Sequence, residues 1–175
     1  MFKDKKILAG GAVLFVAAFW FYIKPNYMDP KPPPIYTQEQ IDAAPRPTVF
    51  IGKASDGHSK TNAPDGIILN LKPSGTTQRY VKLVMALEFG PQTPPWVGLT
   101  TEKLAAKNAE FAHHLEPEMH KILDAIANVI GSHTAEEVST VEGKEKLKAE
   151  LIEAINHHLH GDKVQQIYFE TFIVQ

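Results

Sequence analysis

The sequence predicts an α+β protein: a single N-terminal transmembrane helix, a Pro-rich linker, and a small exterior domain in which an antiparallel sheet packs with two main helices. Three observations lead to this prediction. Residues 7–23 are apolar and uncharged, residues 24–66 are rich in proline and glycine, and residues 67–175 contain both period-two and helical apolar patterns. The chain therefore divides into a cytoplasmic N-terminus at residues 1–6, the membrane helix, the linker and the exterior domain.

The apolar run at residues 7–23 decides where the rest of the chain lies. A helix of this length spans roughly 25 Å, which is at the short end for a bilayer core of about 30 Å. A cleaved signal peptide would end in small residues, whereas this run ends in Trp20, Phe21, Tyr22 and Ile23. A buried core helix would normally show a polar face, and this run has none. We therefore interpret it as an uncleaved membrane anchor.

Charge and composition restrict the function of the chain beyond the anchor. Three lysines precede the anchor and Lys24 comes directly after it, so the N-terminus is predicted to be cytoplasmic. Residues 1–6 carry +2 and the whole chain −2, which leaves −4 for the remainder and argues against nucleic acid as a partner. The chain has no cysteine, which excludes disulfides, thiol catalysis and thiolate metal sites.

The linker at residues 24–66 contains eight prolines, followed by a part rich in Gly, Ser and Asp. Prolines fix φ and remove hydrogen-bond donors, so a long helix or an inner strand is not expected. A coil of this length spans on the order of 35 Å. A stalk that holds the domain off the membrane and plain disorder are both compatible with this composition. Thr48–Ile51 is a candidate for an edge strand within it.

Two strands are predicted at the start of the domain. Ile67–Leu71 is a short apolar run, and Pro73–Gly75 indicates a turn. In Arg79–Phe89 every odd position from 81 onward is apolar, which is typical of a strand with one buried face. The two runs predict an antiparallel hairpin, and Gly90–Gly98, with its three prolines, predicts a surface loop.

The first helical region should begin at Thr100 or Thr101, because a threonine can cap the first turn. Apolar residues then recur at spacings of three and four. Pro117 should kink or restart the helix, and Gly131 should end it.

The second helical region comes after a short turn at Thr134–Val138, which Thr134 should cap. Gly143 leads into the predicted helix Lys144–His158. Gly161 and Asp162 end that helix before the last strand.

The final strand, Val164–Val174, is apolar on both faces. Such a strand belongs in the middle of a sheet or beneath a partner. Strict alternation places Ile167, Phe169 and Ile173 on one face and Tyr168, Phe172 and Val174 on the other.

Two groups of histidines are the only candidates for metal binding or catalysis. The first lies at the end of the second helix and contains His157, His158 and His160, with Glu153 one turn earlier. These residue types can bind a metal. At a helix C-terminus, however, they more often complement the helix dipole and the free carbonyl groups. We favour this second interpretation.

The second group contains His113, His114 and His120 with Glu116 and Asp124. Glu116, His120 and Asp124 succeed each other at a spacing of four, which is usually a solvated helix face. The sequence also contains no Gly-x-Ser-x-Gly motif of a serine nucleophile, and neither a Walker-type loop nor a Gly-x-Gly-x-x-Gly motif for phosphate binding. The sequence therefore assigns no catalytic, cofactor-binding or metal-binding residue, and it predicts a protein that is not an enzyme and has no cofactor.

Asn156 interrupts the apolar end of the last helix. Its side chain either hydrogen-bonds the turn before the final strand or contacts a partner at an interface. We favour the hydrogen bond, because Asn side chains often satisfy nearby backbone groups.

Several segments of the chain share their order and spacing with a known family. They are ILNL (Ile68–Leu71), RYVKLVMALEF (Arg79–Phe89), ILDAI (Ile122–Ile126), TAEEV (Thr134–Val138), Gly143 and Lys144 with Leu147, Ile155 with Asn156, and VQQIYFETFIVQ (Val164–Gln175). In this order and spacing they resemble the family of flagellar basal body-associated FliL proteins. One departure is Gly90–Phe111, which is longer and richer in proline than the family pattern.

The resemblance implies a periplasmic domain similar to the stomatin-type scaffold domain, on a single-pass protein of the bacterial inner membrane. It also implies a homo-oligomeric ring around the stator units of the flagellar motor, with the stator A and B subunits and basal body components as partners. We expect the subunit interface on the two helices and on exposed strand edges. The alternative is a general membrane-anchored envelope scaffold or binding module of the same fold. A membrane-bound enzyme would require a metal at the histidine cluster.

Overall fold

The computed structural model describes residues 34–53 and 66–175; the predicted membrane helix at residues 7–23 and about half of the predicted linker lie outside these ranges. Within them, no helix combines the length and the apolar character needed to cross a membrane. The chain forms two compact units, Met1–Tyr36 and Thr37–Gln175. The second unit contains the helices and strands of the described ranges, and it begins inside the range predicted as linker.

The second unit is an antiparallel sheet with helices, as the sequence predicts. The strands are β1 (Thr48–Ile51), β2 (Ile67–Asn70), β3 (Tyr80–Phe89) and β4 (Val164–Val174). The helices are α1 (Gln38–Asp42), α2 (Thr101–Leu115), a 3₁₀ turn (Glu116–Glu118), α3 (Met119–Ser132), α4 (Ala135–Ser139) and α5 (Val141–His158).

Strand β3 is the centre of the sheet. Strand β4 pairs with one of its edges along almost its whole length, and β1 and β2 pair in succession with the other edge. Between β1 and β2, the Gly66 N–H donates to the Gly52 carbonyl over 2.6 Å, and both glycines have positive φ. Strands β1 and β2 thus share one edge of β3. The hairpin and the edge strand Thr48–Ile51 are both confirmed.

The core lies between the helices and one face of the sheet, which we call the inner face. The odd-numbered residues of β3 from Val81 to Phe89 are fully buried on this face. Helix α3 packs against β2 and helix α5 against β4. Each of these helices buries three apolar residues at a spacing of four, so each presents one apolar stripe to the sheet. These residues are Ile122, Ile126 and Ile130 in α3, and Leu147, Leu151 and Ile155 in α5.

Helix α2 is attached mainly through its C-terminal half. It begins after Thr100, whose hydroxyl accepts a hydrogen bond from the backbone of Lys103, and it buries Phe111 and Leu115. The predicted restart at Pro117 is confirmed, because the 3₁₀ turn separates α2 from α3. The loop before α2 differs from the prediction of a surface loop, since Trp96 is only 8% exposed and belongs to the core.

Two helix boundaries differ from the prediction. Helix α3 passes through Gly131 and ends at Ser132. Helix α5 begins at Val141 rather than at Lys144, because the Thr140 hydroxyl accepts the N–H of Gly143 over 2.9 Å and so caps the helix three residues earlier. The short helix α4 does start after Thr134, with a capping box completed by Glu137.

The final strand is an edge strand, whereas its apolar character on both faces favoured a central position or a covering partner. The predicted division of its faces is also wrong in the second half. Val84 pairs with Thr171 and Met85 pairs with Phe169, so Glu170 forms a bulge. A bulge reverses the alternation of side chains. Phe172 therefore joins the inner face and Ile173 the outer face.

Candidate interaction surface

The outer face of the sheet, which points away from the helices, carries an exposed apolar patch. Its four members come from three strands, and cross-strand pairing places them on one face. Exposed apolar residues that share one face of a folded domain indicate a site for protein contact. This outer-face patch consists of Ile68 (68% exposed), Tyr80 (44%), Tyr168 (50%) and Ile173 (47%).

Charged residues cross the same face beside the patch. Lys53 forms an ion pair with Glu170 over 3.2 Å, which spans β3 from one edge of the sheet to the other, and its ammonium lies 4.1 Å from the ring centroid of Phe50. Arg46 lies 3.7 Å from Glu88 and hydrogen-bonds Gln165. Lys82 lies between Ile68 and Ile173, and Tyr168 pairs with Ala86 towards Glu88. Apolar and charged side chains are thus interspersed on this face, which suits a protein partner more than a lipid surface.

His133, which is 9% exposed, is the most buried polar residue in the described part of the chain, and no sequence pattern singled it out. Its Nε2 donates to Glu150 over 2.6 Å, its Nδ1 lies 3.5 Å from Glu137, and its carbonyl accepts the N–H of Lys72. These contacts join α3, α4, α5 and the loop after β2. Its partners lie on separate elements, so no local pattern could have identified it.

The hydrogen bond from His133 holds the pKa of Glu150 below its usual range, against a smaller opposing effect of burial. A lowered pKa in the folded state means that the carboxylate stabilises the fold above the ordinary pKa of Glu, and that this contribution is lost as the pH falls. We expect Glu150→Gln to lower the free energy of unfolding by up to about 1 kcal/mol at pH 7, because the carboxylate is partly open to solvent. Urea unfolding at pH 7 and pH 3.5 measures this difference.

The control for this prediction is Glu153→Gln, which removes the same charge one turn along α5. Glu153 forms no hydrogen bond or ion pair within the described ranges, so the free energy of unfolding of the Glu153→Gln variant should differ little from that of the original protein at either pH. A Glu150→Gln effect that is equal at both pH values would contradict the electrostatic origin.

The predicted histidine groups are placed apart. His113 contacts Glu116 over 2.9 Å at the exposed end of α2, and Asp124 instead accepts a hydrogen bond from Asn128. In residues 34–53 and 66–175, no three side chains of the metal-binding types converge. In the group at the end of α5, the rings of His157 and His158 pack edge to face with centroids 5.2 Å apart, and His160 lies beyond the end of the helix.

A groove of about 430 Å³ separates α3 from α5 on the surface. Its polar lining consists of Asn128, Glu150, Glu153, His157 and His158, and its floor is formed by alanine and valine side chains. The groove is therefore a polar surface groove whose lining contains no serine, threonine or lysine side chain that could act as a nucleophile.

Asn156 makes the predicted contact with the chain before the final strand. Its Nδ2 donates to the carbonyl of Val164 and its Oδ1 accepts the N–H of Val164, both over 2.8 Å. Lys163 adds hydrogen bonds to the carbonyls of Asn156 and Leu159. The helix end and the first residue of β4 are therefore fixed to each other.

Replacing Asn156 with alanine is expected to lower the free energy of unfolding by about 2 kcal/mol. The change removes two hydrogen bonds and leaves the backbone of Val164 unpaired at a partly buried position. Thermal or chemical unfolding measures the loss. In the control, Asn128→Ala removes only an exposed hydrogen bond within α3 and should cost less than about 0.5 kcal/mol. Equal losses in the two variants would contradict the role of Asn156.

Comparisons with known proteins support the sequence resemblance. The family model described as "Flagellar basal body-associated protein FliL" matches residues 61–175. A "Flagellar protein FliL" of Aquifex aeolicus (strain VF5) is 35% identical over 72 residues, which cover 41% of this chain and 45% of that protein. A "Flagellar protein FliL" of Bacillus subtilis (strain 168) is 29% identical over 73 residues, 42% of this chain and 52% of that protein. The matches span about half the length of these curated relatives.

Proposed function

Because this chain belongs to the family of flagellar basal body-associated FliL proteins, we propose that it is a non-enzymatic accessory protein of the flagellar motor. In this proposal it oligomerises as a ring around stator units and supports their ion-driven torque generation. The observation that carries the proposal is the family match at residues 61–175. That range includes β2, β3, β4 and all the helices of the inner face.

The surface of the domain supports a role in protein contact. The outer-face patch leaves apolar area exposed on a rigid sheet, as expected for a subunit that has neighbours. A ring supports a motor complex only through contacts that differ between the active and inactive states of the stator, because a partner shifts an equilibrium only by that difference. The proposed partners are further copies of this chain and the stator A and B subunits.

The proposed location is the bacterial inner membrane, with the N-terminus in the cytoplasm and the domain in the periplasm. The predicted anchor at residues 7–23 would keep many copies in one plane beside a partner that is itself in the membrane. This arrangement raises the local concentration, so weak contacts between subunits become sufficient for assembly.

Purification from gently solubilised membranes, followed by imaging of the particles, tests the proposal. The expected result is a closed ring that contains stator subunits, together with impaired swimming or swarming in a strain that lacks the chain. In that strain, expressing the variant Ile68→Lys should restore motility less well than Ile35→Lys, because Ile35 is an exposed apolar residue outside both the sheet and the two main helices. Normal motility at high load and particles free of stator subunits would overturn the proposal and favour a general envelope scaffold.

A further inference from the structure

The edge of β4 that faces away from β3 is unpaired within residues 34–53 and 66–175. In the described part of the chain, residues 165–174 form backbone hydrogen bonds with β3 alone. Gln175 exchanges both of its backbone hydrogen bonds with Tyr80. Because paired and outward positions alternate in an antiparallel ladder, Phe172 and Val174 direct their N–H and C=O groups away from the sheet. This β4 edge is a template for one more strand.

Apolar side chains flank the β4 edge on both faces of the sheet. Tyr168 and Ile173 belong to the outer-face patch. On the inner face, the rings of Phe169 and Phe172 lie 4.9 Å apart and are only partly buried. An added strand would cover both pairs, and two such flanks give a strand-addition site its specificity through alternate side chains.

Two lysines of α5 lie beside the inner flank. The ammonium of Lys144 lies 5.4 Å from the ring centroid of Phe172, and that of Lys148 lies 5.7 Å from the centroid of Phe169. Lys148 is paired with Glu145 over 2.8 Å. Lys144 has no carboxylate within ion-pair distance in the residues that the structure describes. The inner flank of the edge therefore carries an excess of positive charge.

This charge opposes pairing of β4 with β4 of a second copy. Two-fold antiparallel pairing would bring Lys144 and Lys148 of each copy beside those of the other, and like charges at such a distance repel each other. Lysines beside an edge are a known protection against self-pairing. An extended segment with carboxylates meets no such repulsion.

We propose that the β4 edge binds, by strand addition, an extended acidic segment of a partner protein. Carboxylates at alternate positions of that segment face Lys144 and Lys148, and its intervening apolar side chains cover Tyr168 and Ile173. The inference rests on the chemistry of the edge and does not depend on the proposed role in the motor.

Binding of synthetic peptides to the full chain in detergent, measured by fluorescence anisotropy, tests this proposal. The first probe is a nine-residue peptide that alternates valine and glutamate. The second has lysine in place of glutamate, and the third is the acidic peptide N-methylated at alternate residues, which removes backbone donors. The expected order is strong binding of the acidic peptide, with at least about tenfold weaker binding of the other two.

Two variants locate the site, and a third is the matched control. Lys144→Glu should weaken acidic-peptide binding by about fivefold, which corresponds to about 1 kcal/mol for one exposed charge reversed. Val174→Pro removes an outward N–H without touching the ladder to β3 and should weaken binding by about tenfold. Lys146→Glu reverses the same charge on α5 at a side chain that is 72% exposed and paired with Glu150, and it should leave binding unchanged.

Three results would overturn the proposal. The first is equal binding of the acidic and basic peptides, or binding of neither. The second is equal binding of the acidic peptide and its N-methylated form, which would reduce the contact to charge attraction. The third is loss of self-association in Val174→Pro, measured by light scattering, which would assign the edge to contact between copies.

Discussion

Replacing Gly143 with alanine is expected to lower the free energy of unfolding by about 3 kcal/mol, because no space exists for the added methyl group. A Cβ at this position would overlap the backbone oxygen of Glu137 and would lie 2.9 Å from the hydroxyl of Thr140. The obstacle is backbone, so no rotamer change relieves it. Helix α4 would have to move away from the first turn of α5, and the cap at Thr140 would be distorted.

The control is the other glycine within a helix of the described ranges. Gly131 lies in α3, and a Cβ there would meet only the carbonyl oxygen of Asn70, at an ordinary contact distance of 3.8 Å. Since alanine favours a helix over glycine, Gly131→Ala should raise the free energy of unfolding by up to about 1 kcal/mol. Urea unfolding of both variants measures these two changes in the free energy of unfolding, which should have opposite signs. A stable Gly143→Ala protein would show that the corner between α4 and α5 is less closely packed than described.

The elements that the sequence predicted well are those specified by local patterns. Odd-numbered apolar residues from Val81 onward identified β3, and apolar residues at a spacing of four identified α3 and α5. Thr134 identified the start of α4 in the same way, and the structure adds Glu137 as its partner in the capping box. In each case the residues that determine the structure are close to one another in the chain.

The elements that the sequence missed depend on contacts between distant segments. The bulge at Glu170 results from the pairing of β4 with β3, and strict alternation in β4 contains no trace of it. Trp96 reaches the core from a loop whose prolines predicted a surface loop. His133 meets Glu150 across 17 positions of the chain. These contacts exist only once the domain has folded.

The candidate interaction surface shows the same limit. The sequence indicated that β4 is apolar on both faces, which favoured a central strand or a strand beneath a partner. It did not indicate that Tyr168 and Ile173 share the outer face, because the bulge brings them to the same side. The sequence therefore predicted that β4 has more apolar residues than an ordinary edge strand. Which of these residues belong to the outer-face patch could be seen only in the structure.

Phe89→Ala is the second change with a large expected effect, a loss of about 4 kcal/mol in the free energy of unfolding. Phe89 is fully buried at the end of β3, and its ring meets that of Phe111 edge to face with centroids 4.9 Å apart. Helix α2 buries only Phe111 and Leu115. The contact between the rings of Phe89 and Phe111 therefore provides much of the attachment of α2 to the sheet. Chemical unfolding measures the loss, with Ile68→Ala, at an exposed position, as the control.

A double-mutant cycle with Phe111→Ala separates this attachment from simple cavity formation. If the ring pair holds α2, the loss in the double variant is smaller than the sum of the single losses by about 1 kcal/mol, as for other aromatic pairs. Hydrogen exchange should then show that either single variant opens α2 before β3 and α3. Strictly additive losses and equal protection of α2 and α3 would mean that Leu115 and Trp96 attach the helix instead. The double-mutant cycle and the hydrogen exchange together show whether residues 90–115 unfold together with the sheet or separately from it.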